Sequence, residues 1–207
     1  MDRGGSRLSI YALKPQFRNL LRPLTRVLAR AGVTANQVTV AAAAISVALG
    51  VFVASQLPDA RAFVLIPMWM VVRMACNAID GMLAQEFGQR SRLGGYLNEL
   101  ADVVSDTALY LPFAFLPPFS PKWTATVIGL AVISEYAGAL GPLVGASRRY
   151  DGPMGKSDRA FAFGALGLWV ALAAPLPDWA ALAMPVVAGA LIVTIVNRVR
   201  GGLKEES

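Results

Sequence analysis

The chain has no histidine and a single cysteine, Cys76, in 207 residues. Without histidine there is no imidazole general base, no Ser-His-Asp triad and no imidazole metal ligand. One cysteine excludes a disulfide framework and a cysteine-based zinc site. Charge is also scarce, at 15% of residues, where soluble domains carry about a quarter. Chemistry must therefore run on carboxylates, amides, hydroxyls, Lys or Arg. Any metal must be a hard, oxygen-preferring ion such as Mg²⁺, Mn²⁺ or Ca²⁺.

What is abundant is apolar: 56% of residues are hydrophobic and the mean hydropathy is +0.53. An ordinary soluble domain is excluded on that ground. The formal charge of +6 then reads as cytoplasmic anchoring and attraction to anionic membrane lipid, with no nucleic-acid role.

The first 35 residues lack the apolar core and small-residue cleavage site of a signal peptide. Lys14, Arg18, Arg22, Arg26 and Arg30 recur every four residues, and Phe17, Leu20, Leu21, Leu24, Val27 and Leu28 fill the other side. This spacing predicts an amphipathic helix, interrupted near Pro23, lying on an anionic leaflet. A helix docked on the rest of the protein fits the same pattern.

Six apolar stretches follow, at residues 37–57, 62–85, 94–116, 123–146, 158–176 and 179–198. Each is long enough to cross about 30 Å of hydrocarbon. Sixteen of the nineteen Lys and Arg fall on one side: Arg3, Arg7 and the five above, Arg90 and Arg92, Arg148, Arg149, Lys156 and Arg159, and Arg198, Arg200 and Lys204. The other side has Arg61 and Lys122, and Arg73 lies within the second stretch. Positive charge marks the cytoplasmic side. The expected architecture is all-α: six transmembrane helices with an N-terminal interfacial helix and both termini cytoplasmic. Its divisions are a juxtamembrane segment (1–35), a membrane domain (36–200) and a tail (201–207).

Polar residues within spans are costly and mark function. Arg73, Asn77, Asp80 and Ala84 share one helical face, as do Asn98, Asp102 and Asp106 in the next span, with Glu99 beside them. Glu135 stands in the fourth span. The two carboxylate faces start near a short turn, which predicts an antiparallel hairpin with its site near the cytoplasmic interface. Oxygen side chains at this spacing suit a metal cage. They also suit a polar packing seam, or a proton or ion path. Gly81 and Gly94 remove side chains beside the site.

These residues resemble the signature of the CDP-alcohol phosphotransferase family, Asp-x2-Asp-Gly-x2-Ala-Arg-x8-Gly-x3-Asp-x3-Asp. The chain reads Asn77-x2-Asp80-Gly81-x2-Ala84-Gln85-x8-Gly94-x3-Asn98-x3-Asp102. All spacings fit and five of the eight fixed residues match: Asp80, Gly81, Ala84, Gly94 and Asp102. Residues 34–39, Thr-Ala-Asn-Gln-Val-Thr, are similar to the family's lead-in to its first span.

The resemblance implies metal-dependent transfer of a phosphatidyl group from a CDP-linked lipid, CDP-diacylglycerol first among them, to a small alcohol with release of CMP. That is a step of phospholipid biosynthesis at a bacterial-type inner membrane. It implies Asp102 as general base and Asp80 as its catalytic companion. Asn77, Asp80, Asn98 and Asp102 become ligands of Mg²⁺ or Mn²⁺, with Asp106 and Glu99 as further candidates. Gly81, Ala84, Gln85 and Gly94 become the CDP and substrate contacts. Lys156 and Arg159, and secondarily Arg148 and Arg149, become candidates for a phosphate on the acceptor or lipid. A homodimer is expected, with Gly138, Gly141 and Gly145 offering a close-packing surface.

The departures are specific. Asn77 and Asn98 replace two motif aspartates and Gln85 replaces an arginine, so two formal negative charges remain at the four acidic motif positions. This favours one tight metal and a weaker second one. Two other classes stay open: a non-catalytic relative that binds CDP-lipid or acts as a membrane scaffold, and a transporter. For Arg73 the expected role is a counter-ion to Asp80 or Glu135. For Ser157 it is an N-cap.

Overall fold

The computed structural model describes residues 14–205. Their regular structure is helical throughout, and no strand occurs among them. Seven long helices follow in order: α1 (Lys14–Arg30), α2 (Ala35–Ser55), α3 (Leu65–Glu86), α4 (Arg92–Tyr110), α5 (Pro121–Ala139), α6 (Lys156–Ala173) and α7 (Ala183–Lys204). Short 3₁₀ turns lead into α3 and α7 and follow α4 and α5. Arg3 and Arg7 lie outside the described residues.

The six apolar stretches correspond to α2–α7. Three of these segments, Ala35–Ser55, Ala60–Glu86 and Asp178–Lys204, are long and apolar enough to cross a membrane. Of the others, α4 carries the most polar face. Lipid as solvent is legible on the outside, where Val51, Val71, Leu172 and Val186 stand exposed. In water such a surface would be an aggregation liability.

Local chemistry sets the boundaries. Thr34 caps α2 by accepting from the Gln37 N–H at 3.2 Å, while Gln37 returns a bond to the Thr34 N–H at 2.9 Å. This reciprocal box satisfies two donors that a helix start leaves open. Ser91 caps α4 in the same way, accepting from Gly94 N–H at 2.9 Å. At α6 it is Asp158, not Ser157, that takes the capping bond, accepting from Gly155 N–H at 3.0 Å. Helix α1 runs through Pro23 without the expected interruption. The missing Pro23 N–H removes one bond, but Thr25 Oγ1 donates back to the Leu21 carbonyl at 3.0 Å within the same turn.

The two most extensive helix pairs are α2 with α4 and α5 with α7. Helix α2 also packs against α3, whereas α3 and α4 share no comparable backbone contact. The expected antiparallel pairing of α3 and α4 is present in the register of Arg73 with Asp102 and Asp106, but the two backbones stand apart. The two are consecutive, but α2 braces both. Gly50 makes this possible: a Cβ there would lie 2.1 Å from the Ala108 carbonyl oxygen on α4. A core of Phe63, Ile66, Leu109, Tyr110, Phe113 and Phe163 fills the end remote from the motif. A smaller cluster of Ala35, Ile79, Met82 and Leu83 receives Leu21 and Leu28 of α1. Leu20, Leu24 and Val27 of α1 stay exposed, so its apolar surface divides between protein and surroundings.

Candidate active site

The site lies where α3 faces α4, near the α3–α4 turn. Asp80 on α3 and Asp102 on α4 are both buried. Asn77 and Asn98, on the same two faces, are half-buried, and among the described residues neither side chain is held by a hydrogen bond. Beside Asp80, a Cβ on Gly81 would meet nothing within 4 Å. Gly94 differs: its Cβ would lie 2.8 Å from Asn36 Oδ1 and 3.0 Å from Ser91 Oγ. Gly81 thus leaves open space, whereas Gly94 admits the start of α2.

Asp80 is held by Thr39 of α2, whose hydroxyl donates to Asp80 Oδ2 at 2.7 Å, with the Ala35 carbonyl at 3.0 Å as its alternative acceptor. The sequence reading did not single out Thr39 as a site residue. The signal was there, since Thr39 closes the 34–39 segment.

Asp102 is held by two cations. Lys156, the first residue of α6, places Nζ 2.5 Å from Oδ2. Arg73 Nη2 donates at 3.2 Å to Oδ1 and at 3.2 Å to the Asp102 carbonyl. The other arm of Arg73, Nη1, reaches Asp106 Oδ1 at 2.6 Å. The expected pairing of Arg73 with Asp80 or Glu135 is therefore corrected to Asp102 and Asp106, one turn apart on α4.

From Asp106 an ionic chain runs through the protein. Arg159, almost wholly buried, donates from Nε and Nη2 to Asp106 Oδ2 at 3.0 and 2.9 Å, and from Nη1 to the Met154 carbonyl at 3.3 Å. The same Nη1 is 2.9 Å from Glu135 Oε1, an ion-pair distance without hydrogen-bond alignment. Arg198 of α7 approaches that oxygen at 3.5 Å and donates to the Ser134 carbonyl. Arg148 donates to Glu135 Oε2 at 3.2 Å and pairs with Glu99. Charges buried this deeply persist only when matched, and each here is matched.

These placements sort the sequence candidates. Asp106 has both oxygens held by buried arginines and Glu99 is paired with Arg148, whereas Asp102 gives one oxygen to the part-exposed and movable Lys156. Ala84 packs against the small cluster beside α1, and Gln85 is exposed. Arg149 joins Asp151 at 2.8 Å and also Glu205. A hydrogen bond from Ser147 and the Arg149 charge hold the Glu205 carboxyl below its ordinary range. Gly138 and Gly141, considered for a dimer surface, are covered by the chain's own loop: added Cβ atoms would lie 2.6 Å from the Arg149 carbonyl oxygen and 2.3 Å from that of Ser147. Cys76 is a half-buried free thiol.

Among the described residues no three carboxylate, histidine or cysteine side chains converge to hold a metal. The donor set is two carboxylates and two amides, all oxygen. It fits one hard divalent ion, because Mg²⁺ and Mn²⁺ accept amide carbonyls and water in place of carboxylates.

Comparisons with known proteins bear on the family and the fold. The family profile for CDP-alcohol phosphatidyltransferase matches residues 32–196. The inner membrane protein YnbA of Escherichia coli (strain K12) is 41% identical over 196 residues, covering 95% of this chain and 97% of YnbA. Two crystal structures of the Mycobacterium tuberculosis phosphatidylinositol phosphate synthase PgsA1 share the fold at 22% identity. One, with CDP-DAG bound, gives a TM-score of 0.69 over 89% of this chain and 97% of that one. The other, in complex with manganese and citrate, gives 0.67 over 88% of each.

Proposed function

Because this chain belongs to the CDP-alcohol phosphatidyltransferase family, we propose that it transfers a phosphatidyl group from a CDP-linked lipid to a small alcohol and releases CMP. The observation that carries this reading is the pair Asp80 and Asp102, buried on facing helices with the open flank of Gly81 beside them. CDP-diacylglycerol is the donor we favour, in keeping with the CDP-DAG held by PgsA1.

A bound Mg²⁺ or Mn²⁺ would offset charge on the pyrophosphate. Asp80 and Asp102 would hold it, with Asn77 and Asn98 as neutral ligands. The rest falls to the chain's own groups. Thr39 fixes the rotamer of Asp80, and Gly81 lets the nucleotide approach the backbone. Asp102 accepts the proton of the attacking hydroxyl while Arg73 and Lys156 hold its carboxylate in place. Lys156 is part-exposed, so it can follow the substrate without unfolding α6. Positioning and charge neutralisation, not covalent catalysis, supply the acceleration.

The chain would be a six-span membrane protein, α2–α7 crossing and both termini cytoplasmic, with α1 on the anionic leaflet. Helix α1 is tied to the α3–α4 end by Arg18 and Arg22, which reach Glu86 at 3.2 and 3.1 Å. This tie supports a site at the cytoplasmic face, where CDP-lipids and water-soluble alcohols meet.

A second reading is a non-catalytic CDP-lipid binder. Asn77 and Asn98 favour it, since each removes charge from the metal. The deciding experiment is CMP release from CDP-diacylglycerol by purified protein, with Mn²⁺ or Mg²⁺ and a pool of alcohols. The expected result is metal-dependent CMP, abolished by chelation and by Asp80→Ala or Asp102→Ala, with loss of the general base alone costing about 10²- to 10⁴-fold. Asn77→Asp with Asn98→Asp should tighten metal binding. Intact CDP-lipid binding without CMP would establish the second reading.

A further inference from the structure

We infer that the acceptor alcohol carries no phosphate group. The inference rests on the transferase reading above and names its substrate class. It begins from the cations that a phosphorylated acceptor would need. A phosphate monoester is close to a dianion at neutral pH. Sites that hold one in a membrane protein must supply donors whose charge is not already spent, as a fork of arginines does.

Each basic side chain around this site is spent. Arg73 divides its guanidinium between Asp102 and Asp106. Arg159 places Nε and Nη2 on Asp106, and Nη1 on the Met154 carbonyl beside Glu135. Arg148 lies between Glu99 and Glu135, and Arg198 between the Ser134 carbonyl and Glu135. Arg149 is turned away to Asp151 and Glu205. The five cations Arg73, Arg148, Lys156, Arg159 and Arg198 are each engaged by one or more of Asp102, Asp106, Glu99 and Glu135, while Asp80 is held by the Thr39 hydroxyl. Recruiting Arg159 to a phosphate would take two guanidinium donors from the buried Asp106 and leave that carboxylate with Arg73 alone.

Lys156 is the one partner with room to move, and it contributes a single ammonium on a flexible stem. When Asp102 Oδ2 turns to the acceptor, Lys156 is left with one charge and three donors. That suits the oxygens of an uncharged alcohol and falls short of a phosphate dianion. In the step itself the acceptor hydroxyl oxygen forms a bond to the lipid-side phosphorus and its proton passes to Asp102. The pyrophosphate P–O bond breaks, and its electron pair leaves with CMP.

The test uses full-length protein in lipid nanodiscs with CDP-diacylglycerol and Mn²⁺. Matched acceptors are compared: glycerol against glycerol 3-phosphate, and inositol against inositol 1-phosphate, by CMP release and by the phosphodiester lipid formed. An unphosphorylated member is expected to exceed its partner in kcat/KM by at least about tenfold. A phosphorylated member that matches or exceeds its partner, or falls less than tenfold short, overturns the inference and leaves the transferase reading standing. CMP from neither member of either pair overturns both.

Discussion

Arg73 and Asp106 are joined at 2.6 Å across the space between α3 and α4, and Arg73 reaches Asp102 with its other arm. The guanidinium thus does what backbone packing between these two helices does not. It sets their separation and the facing of the general-base candidate.

Arg73→Met should therefore destabilise the fold, by less than the cost of a buried charge left wholly unpaired, about 3–5 kcal/mol, because Asp106 keeps Arg159 and Asp102 keeps Lys156. Arg73→Lys should recover only part of this, because an ammonium cannot fork to two carboxylates. Unfolding in graded sodium dodecyl sulfate reads the difference. An Arg73→Met protein as stable as the parent would mean that α2 alone sets the geometry.

Gly50 and Gly81 should respond oppositely to alanine. At Gly50 the methyl would run into the Ala108 carbonyl, and overpacking of this kind costs about 1–3 kcal/mol. At Gly81 nothing stands in the way, and alanine gains roughly 0.5–1 kcal/mol in a helix. Gly81→Ala should nonetheless raise KM for the CDP-lipid, because the space it fills is the substrate's. A Gly81→Ala enzyme with unchanged KM would move the nucleotide elsewhere.

Thr39→Val keeps the shape of the side chain and removes the donor to Asp80. Loss of such an orienting bond should weaken metal binding by about 10- to 100-fold. Thr39→Ser should restore it. Calorimetric titration with Mn²⁺ measures the effect apart from turnover. Equal affinity in all three proteins would show that Asp80 needs no help from α2.

The helices were readable from the chain because each apolar stretch ends at an identifiable stop. Pro58 lies past α2, the prolines at 117, 118 and 121 separate α4 from α5, and Pro175 and Pro177 follow α6. The site was readable as a spacing of residues, not as a set of contacts. Asn77, Asp80, Asn98 and Asp102 are legible as two faces because a polar stripe in an apolar helix has a direction. Arg73 was assigned the wrong partners because its reach depends on how α3 and α4 are turned toward each other. Glu135 could not be placed at all, since α5 is apolar on nearly every side and its rotation leaves no trace in the pattern. The spacing between α3 and α4 was hidden for a related reason: helices joined by a short turn commonly pack together, but here the close approach permitted by Gly50 brings α2 against α4.

Glu135 and its three arginines come from different parts of the chain: α5, the loop at Arg148, and helices α6 and α7. Descendants of this protein cannot alter Glu135 without leaving the buried Arg198 short of its carboxylate partner. Change here has to arrive in compensating pairs, through an intermediate that folds poorly. Lipid-facing positions can drift one at a time. The ionic chain therefore acts as a brake on divergence, and lineages that have escaped it should show Glu135 and Arg198 replaced together.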